Sequence, residues 1–358
     1  MRILVYGAGA VGGYVGARLA QDGHDVTLVV REVTAEAINA DGLSVTEESQ
    51  TAHVRPTAVS SIAQAFMAGD VNYDLIIMGM KSYDLVEALD PLVAFCPDPP
   101  PIITLQNGIG VEKPLIKQYG ASKIIAGSLT TPISKETTTR LVVERTKRGL
   151  GLAPTQPGQD IQQWVSLFKQ TGIHTVQVKD YQSMKWSKAL LNIVGNATSA
   201  ILNRSPGVIY KSAALFDLEL RMIRETLAVM EAQGLAIIDL PGSPASKLAA
   251  AVNRMPKALL RPILRKIVAS GRGDKMPSFH IDLMAGRGKS EVIYHNGAIA
   301  RTGKALNIPT PVNHVLTDVL WKLAREEVDW QVYDGRPREL LAELKRFEQA
   351  ARRRVTNA

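Results

Sequence analysis

The chain reads as an α/β protein, in which a doubly wound, largely parallel sheet is followed by an all-helical C-terminal domain. Three observations predict this. A short apolar run at the start leads straight into Gly7-Ala8-Gly9-Ala10-Val11-Gly12, a glycine pattern that joins a strand to a helix. Strand-like runs then alternate with helical stretches to about residue 180, as parallel strands joined by crossover helices require. Beyond that the text is helical. With about 100–200 residues per domain, the 358 residues divide into a first domain over 1–180 and a second over 181–358.

Arg2-Ile3-Leu4-Val5-Tyr6 is β-rich and apolar, as a strand buried on both faces is. In the G-x-G-x-x-G beyond it, Gly7 permits the tight turn, Gly9 lets the backbone approach a pyrophosphate, and Gly12 lets the next helix pack closely on the strand. A phosphate belongs at that helix's N-terminus, where free N–H groups and the dipole favour an anion. The context is that of a Rossmann-type unit. A helical stretch runs from about Val11 to Gln21, Gly23-His24-Asp25 turns the chain, and Val26–Val30 reads as a second strand. A carboxylate just past that strand favours the free ribose 2′-hydroxyl of NAD. Here Arg31 comes first, and a guanidinium clamps a 2′-phosphate, which favours NADP. Glu32, one residue on, leaves NAD open.

Asp74–Met78 leads to Lys81, and Pro101–Leu105 leads to Gln106-Asn107-Gly108. Both Lys81 and Asn107 fall just past a strand's carboxyl end, the edge at which such sheets bind ligands. Their bland alternatives are a solvated loop lysine and a turn-forming asparagine. From Lys123 to about Leu152 the text is strand-like. A helix over Asp160–Thr171 and a strand over Thr175–Val178 close the first domain.

In the second domain, residues 185–198 are apolar around most of a helix, which marks a core element. Lys188, Asn192 and Asn196 recur at i, i+4 and i+8, so they share one face of this helix. Such a polar stripe on a buried helix lines a cleft more readily than it packs. Lys185, the rival lysine, belongs to another face. Ser278 follows Pro277 as a helix N-cap would, and Glu291 opens a helix through Val292-Ile293-Tyr294 as a first-turn carboxylate.

Composition narrows the partners. Hydrophobic residues make up 46% and charged residues 21%, which excludes disorder or a coiled coil for the whole. The 42 Lys and Arg exceed the 34 Asp and Glu by 8. With aromatics at 5% and no basic run interleaved with them, small anions are the expected partners and nucleic acid is not. A single cysteine, Cys96, fits a reducing compartment, so a cytoplasmic location is expected. Four glycines by position 13 argue against a secretory signal core. No stretch reaches the roughly 20 apolar residues of a membrane span. The six histidines show no metal-ligand spacing, and no metal is expected.

Taken together, these residues resemble the ketopantoate reductase (2-dehydropantoate 2-reductase) family over nearly the whole chain. The shared text is the Gly7–Gly12 loop, Lys81-Ser82, Gln106-Asn107-Gly108, Lys188 with Asn192 and Asn196, Ser278 with Asp282, and Glu291 followed by Asn296-Gly297. The resemblance implies NADPH-dependent reduction of a 2-keto acid, with a helical domain enclosing the cleft. It implies that Lys188 is the proton donor and that Asn192, Asn196 and Ser278 contact substrate. Asn107 would lie near the nicotinamide, Glu291 at a cofactor ribose or the substrate, and Pro132 where family members touch cofactor with backbone. Hydride arriving at a ketone carbon creates an alkoxide, and a nearby ammonium stabilises it and delivers the proton.

Three features depart from the family pattern. Pro206 stands where family members often carry an asparagine, the Asp282–Glu291 spacing is one residue longer than usual, and Leu240–Lys275 is an insertion. Pro256 and Pro262 are expected to break that insertion into short helical pieces. Its eight basic residues are Lys247, Arg254, Lys257, Arg261, Arg265, Lys266, Arg272 and Lys275, against Asp274 alone. They suggest a short lid whose positive field recruits an acidic substrate. Another 2-keto acid, an opine-type reaction or a non-catalytic NADP-binding regulator remain alternatives. Oligomeric state is open, a homodimer included.

Overall fold

The computed structural model describes residues 1–67, 72–272 and 275–356; Asp274 of the basic insertion lies outside them. Its strands are β1 (Arg2–Tyr6), β2 (Asp25–Val29), β3 (Leu43–Glu47), β4 (Gln50–Val54), β5 (Thr57–Val59), β6 (Leu75–Met78), β7 (Ile102–Thr104), β8 (Ile124–Leu129), β9 (Ile133–Lys135), β10 (Arg140–Val143), β11 (Leu150–Pro154) and β12 (Thr175–Gln177). Between them run α1 (Ala10–Gln21), α2 (Glu32–Asp41), α3 (Ile62–Met67), α4 (Leu85–Phe95), α5 (Lys113–Tyr119) and α6 (Gln162–Gln170). The remaining helices are α7 (Tyr181–Asn192), α8 (Ala197–Leu202), α9 (Pro206–Lys211), α10 (Ala213–Ala232), α11 (Ala245–Arg254), α12 (Lys257–Arg272), α13 (Ser278–Met284), α14 (Asn296–Ala305), α15 (Pro311–Ala324) and α16 (Pro337–Thr356).

The chain forms two compact units. The first comprises Met1–Lys185 together with Ile238–Pro244, the second Trp186–Ile237 and Ala245–Ala358. The division expected after residue 180 thus falls at Lys185 instead. Met184, on the first turns of α7, packs with Ala126, Ala153, Val178 and Leu240 of the first unit. Leu240 reaches that cluster because the start of the basic insertion returns to the first unit, where Thr130 Oγ1 donates to the Pro241 carbonyl at 2.7 Å.

In the first unit an eight-stranded sheet has the order β12-β11-β8-β7-β6-β1-β2-β5. All neighbours are parallel except β11 and β8. Ile3, Leu4 and Val5 of β1 and Leu75–Met78 of β6 are inaccessible to solvent, which is why these strands read as unbroken apolar runs. A second sheet, β4-β3-β10-β9, covers α1. Leu141 of β10 packs so closely on this helix that a Cβ at Gly13 would meet its Cδ1 at 3.1 Å.

Among the described residues the second unit contains helices and no strand. Two features correct the sequence reading. The single helix expected over residues 185–198 is two helices, because Gly195 adopts φ = +62°, a left-handed conformation that an α-helix cannot contain. Asn196 therefore lies beyond a break, not one turn further along the helix that carries Lys188 and Asn192. Conversely, Pro262 does not break α12, which runs from Lys257 to Arg272 with the proline inside it. Leu260, Leu264 and Val268, spaced i, i+4, i+8, are buried and hold the helix together against the lost hydrogen bond.

Candidate active site

In the first unit the candidate residues lie along one edge of the sheet. Parallel neighbours in the order β8-β7-β6-β1-β2 all end on the same side. Just past those ends, in the same order, come Thr130-Thr131-Pro132, Gln106-Asn107, Lys81, the Gly7–Gly12 loop and Arg31. Gly7 has φ = +89°, and a Cβ there would come within 2.4 Å of the Met80 nitrogen, so the turn requires glycine. A Cβ on Gly12 would meet the Gly7 carbonyl at 2.3 Å, the close approach that seats α1 on its strand. The Ser82 hydroxyl donates to the Asn107 carbonyl, which ties the loops after β6 and β7 together beside Lys81. Arg31 is exposed at the N-cap of α2. The ammonium of Lys135, on β9, is pushed below its usual range by partial desolvation and by the Arg31 guanidinium. Pro132 offers a carbonyl that accepts from the Glu144 N–H at 3.0 Å.

Sequence reasoning missed a buried ion pair in this unit. Lys185 Nζ lies 2.8 Å from Glu112 Oε1 and donates to the Gln106 carbonyl at 2.9 Å. Thr104 Oγ1 donates to the same Glu112 oxygen at 2.9 Å. The side chains are 2% and 0% exposed; Glu112 Oε1 exchanges hydration for fixed partners while Oε2 has no hydrogen-bond partner among the described residues, and removing one member of the pair would strand the other. Lys185 thus braces the loop that carries Asn107. Lys188, three residues further along α7, is half-buried.

In the second unit, α7 brings Lys188 and Asn192 onto one face, and the break after Asn192 delivers Asn196 to the start of α13. Asn196 Nδ2 donates to Ser278 Oγ at 3.3 Å and to the Asn192 carbonyl at 3.1 Å. Its Oδ1 accepts from the Phe279 N–H at 3.1 Å. Ser278 is exposed and is the first residue of α13, with Pro277 at the N-cap position where the sequence suggested Ser278. Between Asp282 and Glu291 the chain makes an exposed turn through Gly286 and Gly288, both at positive φ. Glu291 is 3% exposed and opens a short 3₁₀ helix capped by Ser290 Oγ. Pro206 starts α9 after Ser205 and borders the break, since a Cβ on Gly195 would meet it at 3.2 Å.

The first unit fits a nicotinamide dinucleotide. Gly9 faces open space at the N-terminus of a 12-residue helix, a cradle that a side chain would fill and an anion suits. Gln106 Oε1, buried beside Asn107, has no hydrogen-bond partner among the described residues. Gly7, Ala8, Gly9, Ala10, Val11 and Gly12 would hold the pyrophosphate, and Arg31 and Lys81 supply positive charge on either side.

The ketopantoate reductase PanE/ApbA profile matches residues 3–150, and the profile of its C-terminal domain matches residues 180–324. The 2-dehydropantoate 2-reductase of Pyrococcus horikoshii is 28% identical over 330 residues, which are 91% of this chain and 97% of that one. The structure of a PanE/ApbA family ketopantoate reductase from Ralstonia eutropha JMP134 superposes with a TM-score of 0.76 at 25% identity. It covers 91% of this chain and 99% of that one. D-mandelate dehydrogenase, solved with NADH and anilino(oxo)acetate, shares the fold at 20% identity, with a TM-score of 0.75 over 92% of this chain and all of that one. With both halves matched in order across most of its length, the chain belongs to the ketopantoate reductase family.

Proposed function

We propose that this protein reduces a 2-keto acid, 2-dehydropantoate foremost, to the 2-hydroxy acid with NADPH. The observation that carries this reading is the second unit's polar set. Lys188 and Asn192 share a helix face, and Asn196 is hydrogen-bonded to Ser278, all at positions that match the family's motif. Similarity to 2-dehydropantoate 2-reductases over 91% of the chain supports the choice of substrate.

The nicotinamide, when bound, supplies the hydride to the carbonyl carbon. As the carbonyl oxygen gains charge, the Lys188 ammonium stabilises it and gives it a proton, so ketone, hydride and proton become a secondary alcohol. Asn192, Asn196 and Ser278 offer amide and hydroxyl groups that orient the acid's oxygens, which limits the geometries the reactants explore. Glu291 contacts the cofactor ribose or the substrate. Asn107 and Pro132 line the nicotinamide side, Lys81 meets phosphate charge, and Arg31 grips the 2′-phosphate with Lys135 adding a second cation. Pro206 cannot supply the amide that family members often carry there, which favours a second reading in which another 2-keto acid is preferred.

The test is NADPH oxidation measured against a panel of 2-keto acids that includes 2-dehydropantoate. The highest kcat/KM should fall on 2-dehydropantoate; a better substrate elsewhere in the panel selects the second reading, and no turnover at all rejects both. Lys188→Ala should lower kcat by about 10²-fold or more while NADPH binding, measured by fluorescence, stays nearly intact. An unchanged kcat would assign the proton to another donor.

A further inference from the structure

We propose that Glu219 is a positioning residue for the substrate side of the site: its buried carboxylate holds the Gly195 turn that presents Asn196 to Ser278. The proposal rests on the reading that Asn196 and Ser278 contact the keto acid.

Glu219 lies on α10 and is fully buried, with Phe216, Met222 and Ile223, three and four residues away on the same helix, buried as well. A carboxylate in such surroundings is costly unless every oxygen is hydrogen-bonded, and an aliphatic side chain would serve the packing better. Its partners show what it accomplishes. Oε2 accepts from the Gly195 N–H at 2.7 Å and from the Tyr210 hydroxyl at 3.1 Å. Oε1 accepts from the Thr198 hydroxyl at 2.6 Å. These donors come from the break itself, from α8 and from α9, which are the pieces into which the chain divides after Asn192.

Apolar periodicity through residues 185–198 favours one continuous helix, so something must stabilise the interruption. At Gly195 the N–H turns to Glu219 at φ = +62°, and Pro206 occupies the space beside it. The next residue is Asn196. Its three side-chain hydrogen bonds, to the Asn192 carbonyl, Ser278 Oγ and the Phe279 N–H, depend on where the turn places it. Without the carboxylate the turn relaxes toward the continuous helix, and Asn196 rotates away from Ser278. A cofactor held by the first unit is untouched by that change.

Glu219→Leu should raise KM for the keto acid by roughly 10-fold, a loss equivalent to about one good hydrogen bond, with KM for NADPH within about 2-fold of the parent. Glu219→Gln keeps one oxygen for the Gly195 N–H and should recover most of the loss. A purely structural role would instead lower melting temperature and active fraction with both KM values unchanged. That result, or an equal rise in both KM values, overturns the proposal. If Glu219→Leu does not fold, the Thr198→Val, Tyr210→Phe double variant replaces it. A selective rise in keto-acid KM then supports the proposal and an unchanged KM overturns it. Asn196→Ala separates the two levels. If it raises keto-acid KM while Glu219→Leu does not, Glu219 alone loses its role. If it has no effect, the reading of Asn196 as a substrate contact fails, and this proposal with it.

Discussion

Arg31 occupies a position that strand topology determines, just past β2 in the unit that begins with the glycine loop. That is why it was legible in the sequence, as were Lys81 and Asn107, each placed by the end of an apolar run. Lys135 was not legible, because it comes from a different sheet, and its nearness to Arg31 exists only after folding. The Lys185–Glu112 pair escaped for the same reason: nothing in the text near either residue points to the other. For cofactor choice the expectation is specific. Arg31→Ala should raise KM for NADPH by about 10-fold or more and leave KM for NADH nearly unchanged, since only the former carries the phosphate that a guanidinium clamps. Lys135→Ala should act in the same direction and more weakly. Steady-state kinetics with both cofactors decide it, and an equal loss for both would transfer discrimination to Glu32 or to the fold.

Elements are most legible where burial alone shapes them and least legible where a single long-range contact does. The strands of the main sheet announce themselves as apolar runs, but the break between α7 and α8 is invisible to periodicity, because residues on both sides keep a helical pattern and a carboxylate on α10 makes the turn. In α12 the difference runs the other way, since a buried stripe outweighs the proline. The same helix alters the expectation of a recruiting lid. Lys257 is paired with Asp217 on α10, and Arg261 Nη2 donates to the Lys211 carbonyl on α9 at 2.6 Å. Two of the cations assigned to a substrate field are therefore committed to holding the helix in place. Lys257→Gln with Arg261→Gln should lower stability by about 1 kcal/mol or less, as exposed pairs do, and leave keto-acid KM and its salt dependence unchanged. Urea denaturation and kinetics at two ionic strengths test both halves. A rise in KM at low salt without a change in stability would restore the lid.

For the molecule as a whole, composition and helical periodicity point to one boundary near residue 180, whereas the chain passes between its two units three times. The short return of Ile238–Pro244 carries no periodic signal. It is held by Leu240 in an apolar cluster and by hydrogen bonds at Pro241 and Ser243, contacts that only the folded chain brings together. Global stability should carry a pH signature from a different place. Glu225, on α10, caps the start of α15 by accepting from the Val312 and Asn313 N–H groups at 2.9 Å each and from Asn313 Nδ2 at 2.8 Å. Burial raises its carboxyl to about 7, against the lowering pull of those hydrogen bonds and of Arg221. Unfolded, it titrates near 4.5, so between these values the folded chain retains a proton that the unfolded chain has lost. Its contribution is fully present below pH 4.5, declines as pH rises and is gone above about pH 7, a span of at most about 3 kcal/mol. Glu225→Gln cannot titrate. It costs stability at every pH, because the amide meets one backbone N–H with a donor, but the slope of unfolding free energy against pH between 4.5 and 7 should flatten relative to the parent. Equal slopes in urea titrations across that range would show that Glu225 stays ionised in the folded protein and that its cap, not its proton, is what α15 depends on.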